Sequence, residues 1–143
     1  MTSGIIIVDH GSRREESNQL LEQVAQAFGD RFASLYQIVE PAHMELAEPS
    51  IATAYGKCVQ RGAWRIVVAP FFLGPGKHWT QDIPSLTAHA AAQHPGTSYH
   101  VTPTLGLDEL ILELLNKRVQ GCVQSGFECD VCRNAVAPSS GSR

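Results

Sequence analysis

Hydrophobic positions along the chain follow two periods, one typical of buried strands and one typical of amphipathic helices. Continuous apolar runs rich in β-branched residues predict four strands, and apolar residues that recur every three to four positions predict four helices. The predicted strands are 4–9, 35–39, 65–73 and 99–102, and the predicted helices are 15–28, 49–61, 83–93 and 107–119. Because strand and helix alternate throughout, we predict a single-domain α/β fold with helices on both faces of a parallel sheet of about four strands.

Glycine and proline residues set the expected element boundaries. Gly29 is expected to end the first helix, Pro41 the second strand and Gly62 the second helix. The last helix is expected to turn an inner apolar face toward the core, formed by Leu110, Ile111, Leu114 and Leu115.

Composition and charge narrow the class of protein. Of 143 residues, 43% are hydrophobic and 17% are charged, which suits one globular domain with its own core. The formal net charge of −3 argues against a nucleic-acid-binding surface. No apolar run reaches the length of about 18 residues that a membrane helix needs, so no membrane partner is expected. The N-terminus leads directly into the first predicted strand, so no targeting segment is expected within this numbering.

The chain changes character near residue 120, where it becomes rich in glycine, serine and cysteine. We therefore predict a domain over 1–120 and a tail over 121–143, with 135–143 disordered. Three of the four cysteines lie in this tail, at Cys122, Cys129 and Cys132. Their clustering favours metal or redox chemistry over a disulfide framework.

Residues able to bind a metal follow three consecutive predicted strands. His10 follows the first strand, the segment 40–45 with His43 follows the second, and Lys77 and His78 follow the third. Because the carboxyl ends of parallel strands share one sheet edge, we expect two imidazoles and a carboxylate there. Such a set suits Fe²⁺, Co²⁺, Ni²⁺ or Zn²⁺. The alternative is that these are ordinary solvated loop residues.

The sequence lacks the motifs of three other classes of site. Neither Lys57 nor Lys77 lies in a phosphate-binding G-x-x-x-x-G-K-[ST] loop, and no G-x-G-x-x-G follows the first strand. Ser12 has no G-x-S-x-G surroundings, so a serine nucleophile is disfavoured. Trp79, next to His78, could line a pocket for a flat aromatic ligand.

Three motifs at this spacing resemble those of the class II tetrapyrrole chelatases, in particular the short sirohydrochlorin ferrochelatases of plants and algae. The motifs are IVDHGSR at 7–13, ELAEPS at 45–50 and PFFLGPGKH at 70–78. The segment VEPAHME at 39–45 is similar to the plant branch more than to the bacterial one. The resemblance covers about residues 4–120. It implies ATP-independent insertion of Fe²⁺ into sirohydrochlorin to form sirohaem, by a homodimer in the chloroplast stroma.

The resemblance also implies roles for individual residues. The implied catalytic and metal-binding residues are His10, Glu45 and His78. The implied substrate-binding residues are Ser12 and Arg13, to which we add His43 and Trp79. Metal insertion removes two pyrrole protons, which a histidine can accept, and the substrate's carboxylates need cationic partners.

The cysteine spacing C-x₆-C-x₂-C resembles the iron–sulfur tail of the plant relatives, which implies a [2Fe–2S] cofactor. Such clusters commonly take four thiolates, and no fourth ligand is identified here. Cys58 is a candidate, although its place on the apolar face of a predicted helix favours a core position. The fourth ligand could also come from a second copy of the chain or from a residue other than cysteine, and the tail could instead hold no cluster.

Two further functions stay open at this point. One is a cobaltochelatase that uses the same histidines, since nothing in the motifs separates Fe²⁺ from Co²⁺. The other is a metal- or tetrapyrrole-binding protein without turnover.

Overall fold

The computed structural model of the chain describes residues 2–76 and 79–134. Its elements, in chain order, are β1 (Ser3–Asp9), α1 (Glu15–Arg31), β2 (Ile38–His43), α2 (Ile51–Gln60), β3 (Arg65–Pro70), α3 (Trp79–Ala92), β4 (Ser98–Val101), α4 (Glu109–Gln124) and α5 (Asp130–Asn134). The predicted disordered segment 135–143 lies outside the described residues.

The four strands form one parallel sheet in the order β2-β1-β3-β4. This confirms the predicted α/β class. The chain moves outward from β1 to β2, then crosses back over β1 to reach β3, so the direction of winding reverses between β1 and β3. Open α/β sheets bind ligands at such a switch point, beyond the carboxyl ends of the strands.

The core explains why β1 occupies the centre of the sheet. Its run Ile5–Val8 is buried on both faces, as expected for a central parallel strand. Ile5 and Ile7 pack with Leu21 and Ala25 of α1. Ile6 and Val8 belong to the larger cluster on the opposite face, together with residues of α2 and α3.

One face of α2 packs into the core. Ile51, Ala54, Tyr55 and Cys58 are all buried. Ser50 caps this helix by accepting a hydrogen bond from the Thr53 backbone, 3.1 Å away.

Two expected boundaries are wrong. The first helix continues through Gly29 to Arg31, because helical hydrogen bonding outweighs the conformational freedom of a single interior glycine. The second strand begins later than expected and continues through Pro41. Met44 donates its backbone N–H to Asp9, so the two-residue period places the missing N–H of Pro41 on the open edge of this edge strand.

Three other elements also differ from prediction in their extent. The third strand ends at Pro70 rather than at residue 73. The third helix begins at Trp79, earlier than expected, and accommodates Pro84 within it. The last long helix extends to Gln124, beyond the predicted end at residue 119.

Residues 1–106 and 107–143 form two compact units. In the second, Asp108 caps α4 by accepting a hydrogen bond from the Leu110 backbone at 2.9 Å. None of the residues of α4 is buried, so the prediction that Leu110, Ile111, Leu114 and Leu115 form a buried inner face is wrong within one copy of the chain. The domain boundary predicted near residue 120 stays a prediction.

No helix among the described residues is long and apolar enough to cross a membrane.

Candidate functional site

The carboxyl ends of β1 and β2 bring His10 and Glu45 together. The two strands pair in register up to Asp9 and His43, and the Glu45 N–H then donates to the His10 carbonyl at 3.0 Å. Gly11 permits this approach, because a Cβ on it would lie 1.8 Å from the Glu45 carbonyl oxygen. Its φ of +91° also favours glycine.

The His10 and Glu45 side chains form an accessible pair. His10 Nε2 lies 2.9 Å from Glu45 Oε1, and the two side chains are 41% and 55% exposed. His10 Nδ1 lies 3.1 Å from the Gly11 carbonyl oxygen. The His10–Glu45 contact is an ion pair only when the imidazole is protonated, because the carboxylate can only accept. Leu46, the next residue, adopts a left-handed backbone conformation with φ of 69°, which is strained for leucine.

His43 is placed differently from the residues with which it was grouped. Its side chain is 0% exposed, and Nδ1 lies 2.6 Å from Asp9 Oδ1. Its Nε2 is buried and has no hydrogen-bond partner among the described residues. The side chain that we expected at the substrate surface is therefore enclosed in this structure.

The loop between β1 and α1 is held by Asn18. The Ser12 N–H donates to Asn18 Oδ1 at 3.0 Å, and Asn18 Nδ2 donates back to the Ser12 carbonyl at 2.8 Å. Arg13 and Arg14 are exposed and form no salt bridge with any residue that the structure describes. Both guanidinium groups are thus available to bind carboxylates.

The same sheet edge exposes large apolar side chains. Four of them follow the carboxyl ends of strands, namely Leu46, Phe71, Leu73 and Leu105. Backbone hydrogen bonds hold two of these positions: Phe71 donates to Val8 at 2.7 Å, and Leu105 donates to Phe72 at 2.8 Å. Beside them, an open cleft of about 420 Å³ lies between the ends of β3 and β4 and the start of α3. Its walls are mostly apolar and include Pro70, Ile83, Val101 and three threonines.

Two predicted site residues, Lys77 and His78, lie outside the described residues. They follow β3, the strand that pairs with β1 on the side opposite β2. Trp79 begins α3, and its side chain is not described.

The cysteines separate into one core residue and one cluster. Cys58 is fully buried in the core, and this burial raises its pKa to about 12. The sulfurs of Cys122, Cys129 and Cys132 all lie within 4.8 Å of one another. The Cys132 sulfur lies 3.3 Å from that of Cys129 and 3.5 Å from that of Cys122.

Contacts within the cluster shift the pKa values of two of its thiols in opposite directions. A hydrogen bond with the Cys132 backbone, and then the contact with the Cys132 sulfur, lower the pKa of the Cys129 thiol. The hydrogen bonds to Cys129 and Cys122 raise the pKa of Cys132 to about 12. Cys129 is therefore the member best prepared to act as a thiolate ligand.

Sequence reasoning missed three residues that shape the site, namely Asp9, Gly11 and Asn18. Gly11 had a signal, because a glycine after a strand often permits a close backbone approach. Asp9 and Asn18 had none, since their partners lie 34 and 6 residues away and only the fold brings them together.

Comparisons with known proteins identify relatives of this chain. The chain matches the model of the CbiX family over residues 4–122. It is 56% identical over 133 residues to the chloroplastic sirohydrochlorin ferrochelatase of Arabidopsis thaliana, a match that covers 90% of this chain and 58% of that protein. It is 44% identical over 82 residues to the sirohydrochlorin cobaltochelatase of Methanocaldococcus jannaschii, covering 57% of this chain and 56% of that protein.

Among solved structures, SirB from Bacillus subtilis with Fe³⁺ superposes with a TM-score of 0.74 at 30% identity. That match covers 85% of this chain and 47% of the other. The match thus spans about half the length of the Arabidopsis and Bacillus proteins.

We expect G11A to disrupt the site. The left-handed backbone alone costs on the order of 1–3 kcal/mol for a residue with a Cβ, and the contact with the Glu45 carbonyl forces the loops apart. Urea unfolding should show this loss of stability. G62A is the matched control, since Gly62 also has a positive φ but its Cβ would meet nothing within 4 Å. A G11A protein as stable as G62A would contradict the claim that close approach at Gly11 builds the site.

Proposed function

Because this chain belongs to the CbiX family, we propose that it inserts Fe²⁺ into sirohydrochlorin, without a nucleotide, to form sirohaem. The observation that carries the proposal is the His10–Glu45 pair at 2.9 Å, placed beside the switch point of the sheet and next to an exposed apolar edge. The 56% identity to the Arabidopsis ferrochelatase supports iron as the metal.

The His10–Glu45 pair can receive a divalent metal ion in exchange for a proton. A neutral His10 would offer the Nε2 lone pair, and Glu45 a carboxylate oxygen, to one ion, while an Nδ1–H donated to the Gly11 carbonyl would orient the ring. With metal–ligand distances of about 2.0–2.2 Å, the 2.9 Å separation of Nε2 and Oε1 corresponds to an angle of about 90° at the metal. Nε2 and Oε1 are therefore close enough to bind one metal ion.

The macrocycle then has a surface on which to lie. Leu46, Phe71, Leu73 and Leu105 offer apolar contact to a flat ring system, and Arg13 and Arg14 can pair with its carboxylates. As the metal passes to the ring, two pyrrole protons must leave. The imidazole of His10, released by the metal, can accept one of them, and we assign the second acceptor to His78, which follows β3 in the sequence.

Cobalt insertion is the second candidate function. The 44% identity to the archaeal cobaltochelatase favours it, over a shorter part of the chain than the ferrochelatase match. The same pair of side chains would bind either ion. We also propose a plastid location, since the name of the Arabidopsis relative places it in the chloroplast.

We expect H10A and E45Q each to lower the rate of Fe²⁺ insertion by about tenfold to hundredfold, because each removes one metal-binding group. The measurement is the macrocycle absorbance over time under anaerobic conditions, with Co²⁺ run in parallel. H89A is the matched histidine control, since His89 is exposed on α3. Wild-type rates in both site variants would contradict the assigned roles, and a signal that stops at one equivalent in the wild type would favour a binding protein.

The three clustered cysteines also fit part of an iron–sulfur site. Their sulfurs converge within 4.8 Å, and Cys129 is prepared as a thiolate. Cys58 does not suit the fourth position, because it is buried in the core and its pKa is raised to about 12. We propose that Cys122, Cys129 and Cys132 hold a [2Fe–2S] cluster with a fourth ligand outside the described residues. Such a cluster supplies one-electron redox chemistry.

We expect the proposed cluster to give the protein a visible colour that depends on three of the four cysteines. Anaerobically purified protein should show visible absorption and bound iron, and C129S or C132S should lose both. C58A should keep them, because Cys58 belongs to the core. A colourless, iron-free wild type after anaerobic reconstitution would contradict the cluster.

We further propose a homodimer in which α4 of one copy packs on α4 of the other. Leu112, Leu115, Val119 and Val123 form a stripe along one side of α4 and are all about half exposed or more. The Bacillus structure is about twice as long as the part this chain matches. The archaeal relative, in contrast, is about as long as this chain, because the 82 matched residues make up 57% of this chain and 56% of that protein. A dimer of the short chain would therefore contain about as many residues as one copy of the longer Bacillus protein.

The double variant L115E/V119E should convert the dimer to a monomer, because it places four carboxylates in an apolar contact. Light scattering after size exclusion would report the change from twice 15.5 kDa to 15.5 kDa. K117E, on the other side of the same helix, should stay dimeric. A wild type that is already monomeric at micromolar concentration would overturn this proposal.

A further inference from the structure

The hydrogen-bonded pair formed by Asp9 and the buried His43 has no part in the mechanism described so far. His43 is wholly enclosed, and its Nδ1 approaches Asp9 Oδ1 to 2.6 Å, a short and therefore strong hydrogen bond. The two residues face each other at the last register position of β1 and β2. One residue beyond Asp9 is His10, and two beyond His43 is Glu45, the two groups of the proposed metal site.

The pair belongs to a ladder of contacts that joins the two strand ends. The Met44 N–H donates to the Asp9 carbonyl at 2.8 Å, and the Glu45 N–H donates to the His10 carbonyl at 3.0 Å. His43 itself donates its backbone N–H to Pro49 at 2.8 Å, which anchors the returning loop. Unlike these backbone bonds, the side-chain bond between His43 and Asp9 depends on the identity of the two residues.

Stability alone does not explain a histidine at this position. A carboxylate only accepts, so His43 must donate from Nδ1, which leaves the Nε2 lone pair buried without a partner among the described residues. Burying an unpartnered polar atom is unfavourable, and an apolar residue would avoid it. The Nδ1 hydrogen bond, rather than a gain in stability, therefore accounts for a histidine at this position.

We propose that His43 is a positioning residue, whose Nδ1–H holds Asp9 and so keeps His10 Nε2 and Glu45 Oε1 close enough to bind one metal ion. The inference rests on the proposed function for its chemistry. This positioning role replaces the direct substrate contact that we expected of His43 from the sequence, because no atom of that side chain is exposed.

Asparagine and leucine have the same branched shape, which provides a matched pair of variants. H43N places an amide N–H near the position of Nδ1 and removes the unpartnered Nε2, whereas H43L offers no donor. We expect H43N to keep Co²⁺ affinity within about threefold of wild type and H43L to lose about tenfold to hundredfold, as displaced site geometry commonly costs. The affinity is read from the visible absorption of added Co²⁺ in the full chain, counting only the binding that H10A abolishes.

Fe²⁺ insertion by the same variants gives a second readout. H43L should raise the KM for the metal more than it lowers kcat, because the defect lies in receiving the ion. The double variant D9L/H43L keeps the test decisive if H43L does not fold, since replacing both partners by apolar groups of similar shape is nearly neutral for stability. It should fold and still bind Co²⁺ weakly.

Two results would overturn the inference. One is a folded H43L, or D9L/H43L, with wild-type Co²⁺ affinity. The other is a folded H43N that binds Co²⁺ as weakly as H43L. If the wild type binds Co²⁺ through His10 but inserts neither metal, the proposed function fails while the affinity comparison still decides the role of His43.

Discussion

The parallel pairing of β1 with strands on both sides is the constraint on which the rest of the molecule depends. β1 pairs with β2 on one side and β3 on the other, and its buried isoleucines fix the register against both faces of the core. A slip of one residue would turn each of these side chains to the wrong face. The register therefore determines where His10 emerges relative to Glu45, and a rigid core positions two side chains that are themselves exposed.

The site combines this rigidity with local strain. Gly11 has a positive φ and no Cβ, which lets the backbone of Glu45 pass close to it. Leu46 also has a positive φ, although its side chain makes that conformation unfavourable. Strain of this kind persists where surrounding contacts over-determine the backbone. Here those contacts are the backbone bonds between the β1 and β2 ends and the buried bond between Asp9 and His43.

Much of this arrangement follows from the sequence, because apolar periods and strand order place chemistry at one edge without any knowledge of contacts. A carboxylate of the segment 40–45 near His10 was expected on those grounds, and the family resemblance singled out Glu45. The passage of β2 through Pro41 was not expected, since only the finished sheet reveals that this strand lies at an edge. The burial of His43 was missed for a related reason: its partner Asp9 is 34 residues away in the chain. The exposed face of α4 shows a further limit, because a periodic apolar stripe predicts a helix but does not fix whether its apolar face is buried.

The central claim is that the ends of β1 and β2 form one metal-binding site. Anomalous scattering at the cobalt edge, from crystals of the full chain grown with Co²⁺, tests it directly. The account predicts a peak about 2.0–2.2 Å from both His10 Nε2 and Glu45 Oε1. A peak at the clustered cysteines alone, or one distant from both side chains, would contradict it.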